Sequence, residues 1–155
     1  MSYSTFEPRD PDYANRMQDS FENQAFMGFL GAVMAQVTPG AVEIHLPFQK
    51  GLTQQYGFFH GGAIGTLADV TGGYSAFSLM AAEDAILTIE YKVNMLAPAV
   101  GDMLVARGRV VRPGRQITVA HTDIFSLRDG VEKLVATSLG TFMTMAGVGE
   151  APVEK

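Results

Sequence analysis

The residues best suited to chemistry form the short stretch Gly57-Phe-Phe-His-Gly-Gly62, with an acid, Asp69, nine positions after His60. This pattern predicts the end of a loop and the start of a helix. The first backbone N–H groups of a helix are unpaired and carry positive partial charge, and glycine lets a ligand oxygen approach them closely. Gly61 and Gly62 therefore outline an oxyanion hole, although they would equally suit a tight turn with close helix packing.

Asp69 is surrounded by small and apolar residues such as Leu67 and Val70. An unpaired carboxylate in such a helix is costly to bury, so it must be paired, solvated or functional. The chain has no cysteine, which excludes disulfides, a thiolate nucleophile and a cysteine-ligated metal site. Asp69 is thus a candidate functional residue, while a structural hydrogen bond or a solvent-facing position remains open, and a single carboxylate near a helix N-terminus does not define a reaction.

The helices and strands around these residues are predicted from the spacing of apolar residues, which is helical in some stretches and alternating in others. Small and apolar residues over 60–82 predict a buried helix, and the spacing of apolar residues over 11–28 predicts an amphipathic helix. Alternating or β-branched runs predict an early hairpin over 31–48 and four strands over 85–96, 102–111, 116–127 and 134–145. Turn residues at 98–101, 112–115 and 128–130 indicate that these four strands are antiparallel neighbours. The pattern predicts an α+β fold with about six strands around one helix.

Composition limits the class of protein. A length of 155 residues, with 47% apolar and 17% charged residues, favours one globular domain. A net charge of -5 argues against nucleic acid as the main partner. No stretch is apolar enough to predict a membrane span, and the polar first twenty residues predict a cytoplasmic protein. We expect an N-terminal segment at 1–27, the main domain at 28–146 and a disordered tail at 147–155.

Two long stretches carry a family resemblance. The string HGGAIGTLADVTGGYSAFSLM, followed downstream by TIEYKVNMLAPAVGDMLVARGRVVRPGRQITVAHTDI, resembles the PaaI-like branch of the hot-dog thioesterase superfamily. The resemblance covers roughly residues 28–146. It implies a hot-dog fold, in which an antiparallel sheet wraps around a central helix. It also implies hydrolysis of an acyl-CoA thioester, with coenzyme A as part of the substrate and no further cofactor.

The resemblance also implies roles for individual residues. The Gly61 amide would polarise the thioester carbonyl, and Asp69 would act as general base on water or as nucleophile. Gln54, or alternatively Gln55, supplied by the opposite subunit, would position the water or the carboxylate, and the Thr88 hydroxyl would assist the water. For His60 the resemblance implies that shaping the loop through a donated hydrogen bond is commoner than catalysis. Active sites between subunits imply a homo-oligomer, either a dimer or a tetramer.

Four arginines form the basic concentration of this acidic chain: Arg107, Arg109, Arg112 and Arg115. Arg112 and Arg115 flank a Pro-Gly turn. All four arginines are candidates for binding the phosphates of coenzyme A, where arginine offers bidentate hydrogen bonds. Surface ion pairs explain the same residues equally well. His121 and Asp123 lack a third ligand at suitable spacing, so no metal site is expected.

The acyl group is less well defined by the sequence. The aromatic residues Phe58, Phe59, Tyr74 and Phe77 would suit a pocket for an aryl or a short-to-medium acyl chain, or simply the core. Two other functions stay open: a hydroxyacyl thioester dehydratase of the same fold, whose usual motifs are missing, and a non-catalytic acyl-CoA-binding module. Asp69 argues against the second of these, because a binding module needs no carboxylate in the pocket.

Overall fold

Within residues 6–149, six antiparallel strands form a single sheet, and one long helix packs against it. A computed structural model describes residues 6–149 of the chain. The strands are β1 (Val33–Thr38), β2 (Ala41–Pro47), β3 (Ala85–Met95), β4 (Met103–Arg112), β5 (Ile117–Arg128) and β6 (Val131–Met145), and the helices are α1 (Tyr13–Glu22), α2 (Ala25–Leu30) and α3 (Gly61–Phe77), with a 3-10 turn at Lys50–Leu52. Their order in the sheet is β1-β2-β4-β5-β6-β3. The predicted α+β architecture is confirmed.

Helix α3 lies against strands β2 to β6 and forms the centre of the core with them. It is apolar on nearly all sides, as a buried helix must be. The side chains buried to 1% exposure or less include Ile44, Leu46, Leu67, Phe77, Leu104, Ile124 and Phe142. The contact with β4 is especially close, because a Cβ atom on Gly108 would lie 2.6 Å from the Thr71 carbonyl oxygen. Glycine at 108 therefore lets the helix rest directly on the strand backbone.

The connection from β3 to β4 differs from the sequence prediction, which made these strands neighbours. Strand β3 pairs with β6, whereas β4 pairs with β2 and β5, so two strands separate β3 from β4. The connector crosses the end of β5, where the Asp102 amide donates to the Leu127 carbonyl at 2.8 Å. A Cβ atom on Gly101 would lie 2.3 Å from that same oxygen. Turn residues at 98–101 predict a change of direction, but they do not select the strand that pairs next.

The N-terminal segment forms two helices where one was predicted over 11–28. The chain breaks between α1 and α2 because Gln24 adopts an extended conformation, with φ of -75° and ψ of 101°. In that position its side-chain amide donates to the Tyr74 hydroxyl at 2.9 Å, which ties the break to α3. Met17, Phe21 and Met27 are buried in the same core as the sheet and α3. The described part of the segment 1–27 therefore shares its core with the domain at 28–146.

Arg16 anchors α1 to the chain that follows α3. Its guanidinium donates to the Met80 carbonyl at 2.9 Å and lies 4.5 Å from the centre of the Phe77 ring. It also lies 2.8 Å from a carboxylate oxygen of the buried Asp10, although the N–H is not aligned for a hydrogen bond. These contacts hold α1 against the C-terminal end of α3.

The last described residues stay attached to the body of the fold. The amides of Gly147 and Gly149 donate to Asp84 and to the Glu83 carbonyl, respectively, at 3.2 and 2.8 Å. The predicted disordered tail at 147–155 falls for the most part on residues 150–155, which lie outside the described residues. Within residues 6–149, no helix is long and apolar enough to cross a membrane.

Candidate active site

The exposed N-terminus of α3 carries an unpaired backbone amide. His60 is the N-cap residue, and its Nδ1 accepts a hydrogen bond from the Gly62 amide at 2.8 Å. The ring therefore accepts the local hydrogen bond that the sequence analysis expected it to donate, because an amide N–H can only donate. The Gly61 amide has no hydrogen-bond partner within residues 6–149. It is an available donor at the positive end of the helix dipole.

Asp69 lies two turns further along α3 and is partly buried. Its Oδ1 accepts a hydrogen bond from the Thr88 hydroxyl on β3 at 2.7 Å. Among the described residues no cation pairs with Asp69, so a neutral donor holds the carboxylate and leaves its charge uncompensated. Its second oxygen accepts no hydrogen bond from the described part of the chain. The carboxylate is thus oriented and keeps one oxygen free to accept a proton.

Gly61, Gly65 and Asp69 are spaced by four residues and therefore share one face of α3. That face lies beneath the edge strand β3. Met95 comes closest to Gly61, where its methyl carbon would be 3.6 Å from a Cβ atom. Eight residues of helix rise about 12 Å, and the Asp69 side chain tilts back toward the N-terminus and shortens that gap. The amide and the carboxylate thus lie on the same side of the groove where α3 meets β3.

In the single chain, the Gln54 side chain forms its hydrogen bond within its own loop. Its side-chain oxygen accepts a hydrogen bond from the Tyr56 amide, and its carbonyl accepts one from Gly57 at 3.0 Å. Gly57 has a φ of +83°, which favours glycine at this turn. The expected role of Gln54 involves the opposite subunit, and it stays a prediction.

Phe59 is part of the core. Its side chain is 3% exposed and packs edge-on against Phe48, with 5.5 Å between the ring centres. Phe58, one residue earlier, is only partly buried. A substrate contact for Phe59 requires a route through this packing and stays a prediction.

Arg112 and Arg115 lie on the β4–β5 hairpin, at the C-terminal end of α3. Pro113 and Gly114 of this hairpin line a hollow of about 170 Å³ together with Ala76 and Met80. A second hollow of about 530 Å³ is lined by Arg115 and by Arg9, Glu83 and Asp84, among others. Gly61 is at the opposite end of a helix about 25 Å long. Within one chain these arginines do not reach the groove at Gly61.

Arg107 belongs to a surface ion-pair network on the outer side of the sheet. It contacts Glu43 on β2 and Glu132 on β6, each at 2.6 Å. Partial burial would raise the pKa of Glu43, but hydrogen bonds from Arg107 and His45 outweigh it and lower that pKa. Hydrogen bonds that Arg107 donates to Glu132 lower the pKa of Glu132, and the same bonds raise the pKa of Arg107. For Arg107 the surface ion pair is the correct interpretation.

His121 and Asp123 also lie on strand β5 of this surface. Both bond to the same side chain, because the Thr137 hydroxyl is 2.9 Å from the His121 Nε2 and donates to Asp123 at 2.7 Å. No group of three His, Cys, Asp or Glu side chains within residues 6–149 is arranged to hold a metal ion.

A family model for the thioesterase superfamily matches residues 56–133, which include the α3 N-terminus, Asp69 and Thr88. The chain belongs to the thioesterase superfamily. A Halobacterium salinarum protein, named provisionally as an esterase, is 30% identical over 139 residues, or 84% of this chain and 91% of that protein. Membership of the thioesterase superfamily indicates a hydrolase.

Solved structures of thioesterases confirm the hot-dog fold. A thioesterase family protein from Silicibacter pomeroyi has a TM-score of 0.84 and 46% identity, covering 86% of this chain and 98% of that one. The E. coli PaaI protein from the phenylacetic acid degradation operon has a TM-score of 0.77 at 22% identity, covering 90% and 97%. This second likeness shows the fold alone, so the PaaI-like subtype stays a prediction.

Proposed function

We propose that this thioesterase superfamily member hydrolyses an aryl or short-to-medium-chain acyl-CoA to the free acid and coenzyme A. One observation carries the proposal: the Thr88 hydroxyl orients the Asp69 carboxylate at 2.7 Å on the helix face that also bears the unpaired Gly61 amide. A fixed carboxylate and a fixed N–H donor are the two groups that thioester hydrolysis requires. The aryl or short-to-medium preference rests only on the aromatic residues near the loop.

The reaction follows from the charge that develops on the thioester. As water attacks the carbonyl carbon, its proton passes to Asp69 and the carbonyl oxygen becomes an oxyanion near the Gly61 amide. The C–S bond then breaks, and the departing thiolate of coenzyme A takes up the proton. Direct attack by Asp69 would instead form an anhydride that water later hydrolyses. The free oxygen of Asp69 is compatible with either route.

We further propose that two copies of the chain complete each site. Strand β3 is a long sheet edge with unpaired backbone groups, and its side chains Leu87 and Ile89 are each 51% exposed. Such an edge favours pairing with another strand, here a second copy of β3. Pairing would bring Gln54 of the partner subunit toward the groove. It would also allow Arg112 and Arg115 of another subunit to bind the phosphates of coenzyme A.

The test is release of free coenzyme A from a panel of acyl-CoAs by the parent and by Asp69→Asn. We expect the parent to turn over and kcat of the variant to fall on the order of 10²-fold or more, because an amide cannot accept the proton. Its melting temperature should be preserved, since the amide oxygen can still accept from Thr88. Asp19→Asn, an exposed substitution on α1, is the matched control.

Four outcomes would contradict the proposal or its shared site. If the Asp69→Asn protein melts normally and turns over within a few-fold of the parent, Asp69 is structural. If the parent binds acyl-CoA without releasing coenzyme A, the protein is a binding module, and if it hydrates an enoyl-CoA it is a dehydratase. A fully active monomer by light scattering would refute the shared site.

A further inference from the structure

A β-bulge on the edge strand changes which side chains face the groove. Thr88 pairs with Phe142 and Glu90 pairs with Thr141, so Ile89 is an extra residue on β3. In a regular strand, side chains three residues apart point to opposite faces. The bulge at Ile89 removes this alternation, and the side chains of Thr88 and Tyr91 both reach α3. Bulges that redirect a side chain in this way are frequent next to active sites.

The Tyr91 hydroxyl lies between the two groups of the candidate site. It would be 3.6 Å from a Cβ atom on Gly65, which lies one helical turn from both Gly61 and Asp69. Because residue 65 is glycine, the Tyr91 hydroxyl can lie close to the surface of the helix at this point. The hydroxyl has no hydrogen bond to any other residue within 6–149, and the Tyr91 residue is 43% exposed.

We propose that Tyr91 is a further catalytic residue, whose hydroxyl oxygen accepts a hydrogen bond from the water that Asp69 activates. This inference rests on the proposed function and takes its general-base route. One O–H of the water points to Asp69 and the other to Tyr91, so a lone pair is left to attack the carbonyl carbon. The proton moves to Asp69, the C–S bond breaks, and the thiolate takes that proton. Tyr91 is unchanged throughout, and its contribution is orientation.

The test is Tyr91→Phe, which removes only the hydroxyl and keeps the ring over Gly65. We expect kcat to fall on the order of tenfold while KM is unchanged, because the lost bond orients the attacking water and does not hold the substrate. Tyr13→Phe on α1 is the matched control and should behave like the parent. Turnover of Tyr91→Phe within twofold of the parent, roughly the scatter of such comparisons, would overturn the inference.

A second measurement tests the role of the hydroxyl even if Tyr91→Phe does not fold normally. Placing 3,5-difluorotyrosine at position 91 keeps the ring and the hydroxyl, but its fluorines draw electron density from the phenol oxygen and weaken it as an acceptor. In mildly acidic buffer, where this phenol is not ionised, kcat should therefore fall while KM is unchanged. An unchanged kcat would overturn the role of Tyr91. If the parent hydrolyses thioesters and Asp69→Asn is inactive, either negative result rejects Tyr91 alone, whereas an inactive parent rejects the proposed function itself.

Discussion

The two halves of α3 have opposite surroundings. The first half begins with exposed glycines, lies under the edge strand β3 and includes an unpaired amide at Gly61. In the second half Thr71, Ser75 and Phe77 are buried against the sheet. There the Ser75 hydroxyl donates back to the Thr71 carbonyl at 2.8 Å.

The difference separates stability from reactivity within one helix. Apolar side chains of both halves are buried in the core, including Leu67 in the first half and Phe77 in the second, so this packing holds the whole helix in place. The open half can then leave polar groups unsatisfied without loss of the fold. A rigid element is a precise support for reacting groups, because their positions do not depend on a mobile loop. Substitutions in the two halves should therefore have opposite consequences.

Gly61→Ala is expected to lower activity without loss of stability. An added Cβ atom would meet only the Met95 methyl at 3.6 Å, which is ordinary contact. The methyl group would occupy the space through which the carbonyl oxygen approaches the amide. We expect kcat/KM for acyl-CoA hydrolysis to fall at least about tenfold, with the thermal melt unchanged.

Gly108→Ala is the counterpart on β4, where the second half of α3 rests on the strand backbone. Its Cβ atom would lie 2.6 Å from the backbone oxygen of Thr71, which cannot move without shifting the helix. The free energy of unfolding should fall by about 1–3 kcal/mol, while activity per folded molecule is kept. Denaturant unfolding with parallel activity assays measures both quantities. If Gly61→Ala destabilises the protein and Gly108→Ala impairs turnover, the division between the two halves is wrong.

Arg115→Glu tests whether the C-terminal end of α3 contributes to binding by way of another subunit. Loss of a phosphate contact should raise KM for acyl-CoA on the order of tenfold and leave kcat unchanged. A short acyl thioester without the nucleotide should be unaffected. Arg128→Glu, an exposed substitution at the β5–β6 turn, is the control. Equal effects of Arg115→Glu on both substrates would show that the hairpin does not bind the nucleotide.

The smallest effect is expected far from α3, at Arg107. Arg107→Gln removes the partner that lowers the pKa of Glu132 and Glu43, and should cost about 0.5–1 kcal/mol at neutral pH, as is usual for surface pairs. A carboxylate with a lowered folded-state pKa stabilises above its ordinary pKa, and this stability is lost as the pH falls through the folded value. The difference from the parent should therefore shrink below about pH 4.

Urea unfolding of Arg107→Gln as a function of pH measures this difference. Arg109→Gln, on the same strand but without an ion pair among the described residues, is the control. A difference from the parent that persists unchanged in acid would show that packing of the Arg107 stem, and not its charge, stabilises the sheet.

Several features of the fold were predicted because they depend on local patterns. The hairpin of β1 and β2, the buried α3 and the four later strands each follow from hydrophobic period and turn residues. The break between α1 and α2 was missed, because it depends on Gln24 reaching Tyr74, fifty residues away in sequence. The pairing of β3 with β6 was missed for a similar reason, since turn residues contain no information about distant strands.

For the site, the sequence by itself determined the residue types: a glycine pair after His60 and one acid, Asp69, on an apolar helix without any cysteine. Only the tertiary structure decided that Thr88 orients Asp69, that the His60 ring accepts its hydrogen bond, and that Tyr91 faces the groove. The first two depend on side-chain geometry between groups that the fold brings together. The position of Tyr91 depends on the bulge at Ile89, where β3 has one residue more than its partner strand β6. Because a bulge is a property of two paired strands, the sequence of either strand alone does not predict it.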